Sequence, residues 1–400
     1  MKRTLCVSII LALAHTALAQ PAATTTSWSD PELEETGAES LQIHGWASQG
    51  AMLSTDNNYL AHTSRGSFEF FEAGLNVTKE LGSDVRAGIQ VFAQDLGPIG
   101  NYNPLIDWAY IDYRPRPWFG VRAGHFKMPL YLYSDQLDAD MTRTTVLMPQ
   151  GVYDQHYRDV LAAVSGVGVY GHVELDAAGS LDYDVYGGTL FIQPRGSEYD
   201  VENLVGSRLV WNTPIPCVKA AGHVLYGNFH EKAGLDAATV SQVEMSGMAP
   251  ADWDGSLTTD YNNWTMAGGG LECATERLTF TTEASMWHSS LAFTPGIQEP
   301  VEFKELRAYA QAALRLDDRW STSLYASIYR NSTGGRDPSD DNSHQYDAAG
   351  SVRFDATPNV IVKAEAHAID GFGATESNLN RGMERASRWG LFLVKTTLTF

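Results

Sequence analysis

Beyond residue 40 the chain is a succession of short stretches in which apolar and polar side chains alternate. A period of two is the repeat of a strand, whose neighbouring side chains point to opposite faces. Sixteen such stretches lie near residues 41–53, 68–79, 84–94, 105–114, 119–127, 161–174, 180–192, 203–212, 218–229, 262–273, 276–288, 302–315, 319–330, 345–356, 359–369 and 386–400. In 302–315, Leu306, Ala308, Ala310, Ala312 and Leu314 share one face, and Glu305, Arg307, Tyr309, Gln311 and Arg315 the other. The same division sets Val85, Ala87, Ile89, Val91 and Ala93 against Arg86, Gln90 and Gln94. It also sets Val360, Val362, Ala364 and Ala366 against Lys363, Glu365 and His367. Each stretch is long enough for a tilted strand to cross a bilayer.

The connections alternate in length. Short links such as Glu80-Leu81-Gly82-Ser83, Pro115-Arg116-Pro117-Trp118, Asp176-Ala177-Ala178-Gly179, Thr213-Pro214-Ile215-Pro216, Asp317-Asp318 and Thr357-Pro358 are separated by eight segments of about 10–33 residues. Short turns at one end and long loops at the other predict an all-β fold: a transmembrane antiparallel β-barrel of about 16 strands over residues 41–400, with periplasmic turns and external loops. An even strand count brings both termini to the periplasmic end. The chain closes on Trp389-Gly390-Leu391-Phe392-Leu393-Val394-Lys395-Thr396-Thr397-Leu398-Thr399-Phe400. An alternating strand with a terminal aromatic resembles the C-terminal signal of Gram-negative outer-membrane barrels.

The other end agrees. Lys2 and Arg3 precede an apolar run from Leu5 to Ala14, and Ala17-Leu18-Ala19 is a small-residue cleavage site, which together predict a signal peptide over residues 1–19. Residues 20–40 carry five acids and no base among Thr, Ser and Pro, the composition of a flexible periplasmic leader. Past the signal there is no run of 18 apolar residues, so an exported protein that enters lipid must do so as a closed barrel. The net charge of −20 becomes −22 once Lys2 and Arg3 are removed, which excludes the basic surface that nucleic acid requires. Only Cys217 and Cys273 then remain. They stand at the start of 218–229 and the end of 262–273, consecutive antiparallel strands, so they are expected to meet at the periplasmic rim and, after export, to form a disulfide.

Sixteen strands leave a lumen wider than side chains can fill. The longest loop, 128–160, is third in order and is expected to fold inward, its tyrosines and methionines against the wall and its acids toward the passage. By alternation the lumen holds Arg86, Arg122, Arg208, Lys219, Arg277, Arg307, Arg315, Arg353, Lys363 and Lys395. Opposing them are Glu72, Asp112, Glu174, Asp182, Asp184, Glu283, Glu305, Asp355 and Glu365, a wall of mixed charge. The constriction is expected to set Asp135, Asp138, Asp140 and Arg143 of the loop against Arg86, Arg122 and Lys127 of the wall, with Arg307, Arg315 and Arg353 lining the pore. Loop 230–261 adds six acids to one lysine, an acidic mouth that draws cations or, equally, hydrates the surface and binds divalent ions bridging lipopolysaccharide.

Arg122-Ala123-Gly124-His125-Phe126-Lys127-Met128-Pro129-Leu130 resembles a stretch found in porins of the phosphate-selective O/P type and their uncharacterised relatives. Met148-Pro149-Gln150-Gly151-Val152-Tyr153, followed by Arg158-Asp159, is similar to a segment of related porin-like proteins and departs from it at Met148. The resemblance implies an outer-membrane diffusion channel, often a homotrimer, in contact with lipid and lipopolysaccharide. It does not name phosphate, because the ladder of arginines and lysines that a phosphate channel needs is absent from the wall.

No H-E-x-x-H, G-x-S-x-G or calcium-loop motif occurs, so neither a catalytic site, a metal site nor a cofactor is expected. The expected function is passive diffusion of small polar solutes or ions with a weak cation preference. The rivals are an anion- or phosphate-selective channel and a barrel without conductance, acting as an enzyme or a surface receptor. Amino-terminal sequencing of the exported protein should begin at Gln20. A start at Met1 would show that residues 1–19 are retained.

Overall fold

The structure, a computed structural model, describes residues 41–190, 197–235, 237–249, 253–296 and 299–400. The signal peptide and leader expected over 1–19 and 20–40 lie outside the described residues. The chain forms sixteen strands: β1 (Leu41–Ser54), β2 (Phe71–Glu80), β3 (Val85–Asp95), β4 (Leu105–Arg116), β5 (Phe119–Lys127), β6 (Ala163–Glu174), β7 (Ser180–Thr189), β8 (Ser197–Asn212), β9 (Val218–Gly234), β10 (Ser256–Ala274), β11 (Leu278–Thr294), β12 (Val301–Arg315), β13 (Trp320–Asn331), β14 (His344–Thr357), β15 (Val360–Asp370) and β16 (Arg388–Thr399). Each pairs antiparallel with its sequence neighbours, and β1 pairs with β16 from Trp46↔Thr399 to Ser54↔Leu391, closing the ring. All sixteen predicted stretches are strands. No helix among the described residues is long and apolar enough to cross a membrane.

The outer wall is the apolar one. Ile89, Ile111, Val205, Leu271, Met286, Leu306, Leu324, Val362 and Val394 are exposed on the outside, whereas the charged side chains of Arg307 and Lys363 on the inside are each only 1% accessible. Exposed apolar side chains in a continuous band are stable only against hydrocarbon, so this barrel spans a bilayer. At the short-turn end Tyr113, Trp118, Trp211, Phe280, Trp320 and Phe400 are exposed, the aromatic belt that marks the lipid–water boundary. Phe400 exchanges two backbone hydrogen bonds of 2.9 Å with Gly45, and its ring lies where any Cβ on residue 45 would stand, 2.3 Å from Cζ. Glycine at 45 therefore lets the terminal ring lie flat over the closing seam.

The largest departure from the sequence expectation is height. β8 to β11 are 16, 17, 19 and 17 residues long, well beyond what a bilayer requires. They continue as a ribbon above the membrane, where water or loop lies on both sides and the alternation fades. A register shift at Asn262–Thr265, with Asn263 at φ 53°, bends this ribbon, and Phe229 stacks on Tyr261 at 4.2 Å within it.

Cys217 and Cys273 are disulfide-bonded. Val218 faces Cys273 in register, and the amide of Ala274 donates to the Cys217 carbonyl at 3.0 Å. The bridge thus ties the turn before β9 to the end of β10. Cutting it by Cys217→Ser with Cys273→Ser should lower stability by roughly 2–4 kcal/mol. Thermal loss of the heat-modifiable folded band on gels checks this, and an unchanged transition would show that the barrel alone fixes the two strands.

Candidate functional site

Residues 128–162 leave the end of β5, enter the barrel and return to β6, with the amide of Met128 donating to the Ala162 carbonyl at 3.0 Å to close the loop's neck. Inside, the first and last parts pack on the wall. Met128, Leu130, Tyr131, Met148, Val152, Tyr153 and Leu161 join Tyr186, Leu204, Leu225, Trp264, Met266, Trp287 and Tyr309 of the strands in one buried apolar cluster. The tyrosines and methionines therefore do pack inward. Gly151 is pressed against β12 and β13 so closely that a Cβ there would lie 2.8 Å from the Ala308 carbonyl oxygen and 2.9 Å from that of Ile328. Only glycine permits that approach.

An irregular loop inside a barrel must find partners for its backbone. The wall supplies them with charged side chains. Glu283 accepts the Leu132 amide at 2.8 Å together with the hydroxyls of Tyr153 (2.5 Å) and Tyr309 (2.8 Å). Glu365 accepts the amides of Val146 (2.8 Å) and Leu147 (3.0 Å). Lys363 donates to the carbonyls of Asp140 (2.6 Å) and Thr145 (3.1 Å), and Arg353 to those of Met141 (2.5 Å) and Arg143 (3.0 Å). Tyr133 donates to Glu272.

The acids expected to face the passage are distributed differently. Asp135 remains at water, its side chain 43% accessible, paired with Arg208 at 3.2 Å. Asp140 is fully buried: its carboxylate meets Lys363 at 3.1 Å, Lys395 at 3.3 Å and Arg143 at 3.4 Å, and accepts the Thr397 hydroxyl at 2.6 Å. Asp138 is buried between Lys127 (2.8 Å) and Arg158 (2.6 Å), and Arg158 also binds Asp107 at 2.6 Å. Burial would raise both carboxyls, but the cations around them outweigh it and hold both well below the usual carboxylate range. These two acids left the passage because a base on the wall stands opposite each.

Among the expected wall partners, Lys127 meets the loop at Asp138. Arg86 (3.3 Å) and Arg122 (3.6 Å) share Asp112 on the neighbouring strand and stay partly open to water, with Arg122 between the rings of Tyr110 and Tyr170 at 4.7 and 4.9 Å. Arg307 is buried beneath the loop, paired with Asp154 (3.2 Å) and Glu305 (2.9 Å) and stacked on Trp287 at 4.3 Å. Arg353 pairs with Asp355 at 2.8 Å. Arg315 stands at the short-turn rim with Asp318 (2.7 Å), away from the loop.

Sequence reasoning missed the tether between loops. His156 pairs with Asp154 at 2.6 Å and with Glu376, from the last long loop, at 2.5 Å. Burial would lower its pKa, but the two carboxylates outweigh that and raise it to about 10. Burial would likewise raise Asp154, yet His156 and Arg307 bring it to about 2. The first long loop caps the same place: Tyr59 packs on His156 at 5.7 Å and its hydroxyl donates to Gln150 at 3.3 Å. A pair so distant in sequence leaves no local signal.

No family model and no curated protein sequence matches the chain. Solved structures share its fold. The outer membrane channel DcaP of Acinetobacter baumannii superposes with a TM-score of 0.56 at 12% identity, over 91% of this chain and 98% of that one. The anion-selective porin of Comamonas acidovorans gives 0.56 at 11% over 90% and 100%, and the trimer form of OmpT from Vibrio cholerae 0.56 at 10% over 91% and 100%. At such identities the likeness is one of fold, the porin barrel.

The ionised groups give the tether a pH range. The anchoring by Asp138 and Asp140 is complete above the ordinary carboxyl value near about 4 and lost only as pH falls through their depressed values. That of His156 is complete below its ordinary value of about 6.5 and lost as pH rises through about 10. Subtilisin should therefore spare the last long loop, residues 371–387, of the folded barrel near about pH 8 and cut there above about pH 10. Equal resistance at both would show that His156 tethers nothing.

Proposed function

We propose that this protein is an outer-membrane channel for passive diffusion of small hydrophilic solutes and ions, with loop 128–162 setting the aperture. The observation that carries the reading is a charged loop folded within a ring whose inner wall is polar and whose outer wall is apolar. A barrel serving only as an anchor gains nothing from a polar interior of this width, whereas a conduit needs one. The channel and porin names of its structural neighbours support a conduit over an enzyme. The trimer form of one of them supports a homotrimer here, in contact with lipid and lipopolysaccharide.

The finer proposal is a weak cation preference. Glu198, Asp200, Glu202, Glu302, Asp337 and Asp340 are exposed at the long-loop rim, and such a rim concentrates cations and repels anions, more strongly at low salt. The second reading, anion preference, is favoured by one observation: Arg86 and Arg122 share a single carboxylate, Asp112, beside open water. The anion-selective porin among the neighbours lends it weight.

The reversal potential of openings in a planar bilayer under a KCl gradient separates the two. Potassium preference that grows as salt is lowered is the expected outcome. Chloride preference abolished by Arg122→Gln would establish the second reading instead. If neither the native protein nor Gly151→Val, which cannot seat the loop, ever conducts, the channel reading falls.

A further inference from the structure

We propose that the outer wall at β12 to β14 carries a binding site for a phosphate group of lipopolysaccharide, formed by Lys304 and Arg330, with the lipid's acyl chains lying on a row of alanines beneath them. This rests on the lipid contact proposed above and stands whether or not the barrel conducts.

The first ground is position. Alternation along β12 puts Lys304 on the face of Leu306 and Ala308, and along β13 it puts Arg330 on the face of Ile328 and Ala326. Both cations are exposed, and so are Leu306 and Ile328, the apolar side chains just below them. The pair therefore stands where the hydrocarbon ends and the headgroups begin. Leu306 faces Arg330 in register, so Lys304 lies one diagonal step from Arg330. Such neighbours have Cβ atoms about 7–8 Å apart, a gap that two long cationic side chains can close on one phosphate.

The second ground is that neither charge is spent. Arg330 lies over the Tyr346 ring at 5.3 Å and its Nε donates to the Tyr346 hydroxyl at 2.8 Å, which fixes the guanidinium without neutralising it. Lys304 hydrogen-bonds through its backbone alone. Among the described residues neither is ion-paired. The neighbouring bases on this face are: His288 meets Glu302 at 3.3 Å and Arg388 meets Asp370 at 3.7 Å. In a chain of net charge −20, two adjacent cations without a counter-ion point to an anion from outside. Elsewhere on the ring the exposed Glu198, Asp200 and Glu202 of β8 would repel the same headgroup.

The third ground separates a lipid from free phosphate. Below the cations Ala310, Ala326, Ala348 and Ala368 lie side by side in register across β12 to β15, all exposed. Ile328 projects above this row and Leu324, 68% accessible, below it. The row is thus a shallow trough, and because barrel strands tilt it runs obliquely through the outer leaflet. Ala326 is four residues below Arg330 on the same strand, a drop of about 13 Å, which is acyl-chain depth beneath a headgroup. A phosphate with chains attached fills both parts of the site.

The test uses the refolded protein in detergent, titrated with purified lipopolysaccharide, each variant being scored only as the folded, heat-modifiable barrel. Lys304→Gln/Arg330→Gln should bind at least about tenfold more weakly than the native protein, the size of one lost charge-assisted hydrogen bond. Arg116→Gln/Arg319→Gln, the same change of charge at the short-turn end, should bind as the native protein does. Ala326→Phe/Ala348→Phe, which keeps both cations and fills the trough, should also weaken binding. Lipopolysaccharide stripped of its phosphates should bind the native protein no better than the intact lipid binds the cation variant, and inorganic phosphate should not displace the intact lipid. Native-like binding by Lys304→Gln/Arg330→Gln overturns this site and leaves the lipid contact standing. Displacement by inorganic phosphate, or binding indifferent to the filled trough, overturns the lipid in favour of a soluble phosphate. Loss of self-association rather than of lipid in the cation variant gives the face to a second copy and overturns the proposal. A folded native barrel that binds no lipopolysaccharide at all overturns the lipid contact itself.

Discussion

Hydrocarbon offers backbone amides and carbonyls no partner, and every feature of this molecule descends from that constraint. A sheet in lipid can have no edge, so β16 must return to β1, and the chain secures the seam with register pairs from Trp46 to Ser54 and with Phe400 bonded at Gly45. Closure with sixteen strands fixes the width. A ring that wide cannot be filled by its own side chains, so something must enter it or water will. The inner face is then free to be polar, because it need not pack against itself.

The loop and the wall solve each other's problem. Residues 128–162 have too little regular structure to satisfy their own backbone, and the wall has charged groups whose neighbours on the same strand, Glu305 beside Arg307 and Asp355 beside Arg353, leave hydrogen-bonding capacity over. Glu365 takes two successive loop amides, Lys363 two loop carbonyls, and Arg353 two more. In return Asp138, Asp140 and Asp154 neutralise wall cations. Groups that would each be costly to bury singly are buried jointly. The apolar cluster around Tyr131, Tyr153 and Trp287 then adds the non-directional part of the attachment, so the polar contacts specify position while the aromatic ones hold.

Alternation and loop lengths made the barrel legible, since a period of two states which face each residue takes and the outer wall obeys it from Ile89 to Val394. The sides of Lys363, Glu365 and Arg307 were readable for the same reason. Their partners were not. Alternation says that Lys395 points inward, but not that Asp140, on the loop leaving β5, comes within 3.3 Å of it across 255 residues. The acids of the loop read as pore charges because a sequence shows the sign of a residue without its counter-ion. Gly151 was visible as part of a motif, yet its purpose, clearance from two wall carbonyls, exists only in three dimensions. The long ribbon of β8 to β11 was under-read because strands wet or covered on both faces lose the pattern that identifies them.

Charge balance inside the barrel bears on where selectivity can arise. Around Asp140, its carboxylate and that of Glu72 meet Lys363, Lys395 and Arg143, Glu365 pairs with His367, and nearby Asp107 and Asp138 are matched by Lys127 and Arg158. The interior clusters are thus close to neutral while the chain as a whole carries −20. Five acids of that excess lie in residues 20–40, and the remainder resides at the two mouths and in the loops beyond them. A field set by rim charges acts through water and is screened within about 8 Å at physiological salt, so it biases entry rather than binding a solute. Discrimination in such a channel is therefore graded and salt-dependent. The dry, locally neutral centre contributes a barrier of size and of hydration, to which the sign of the solute matters little.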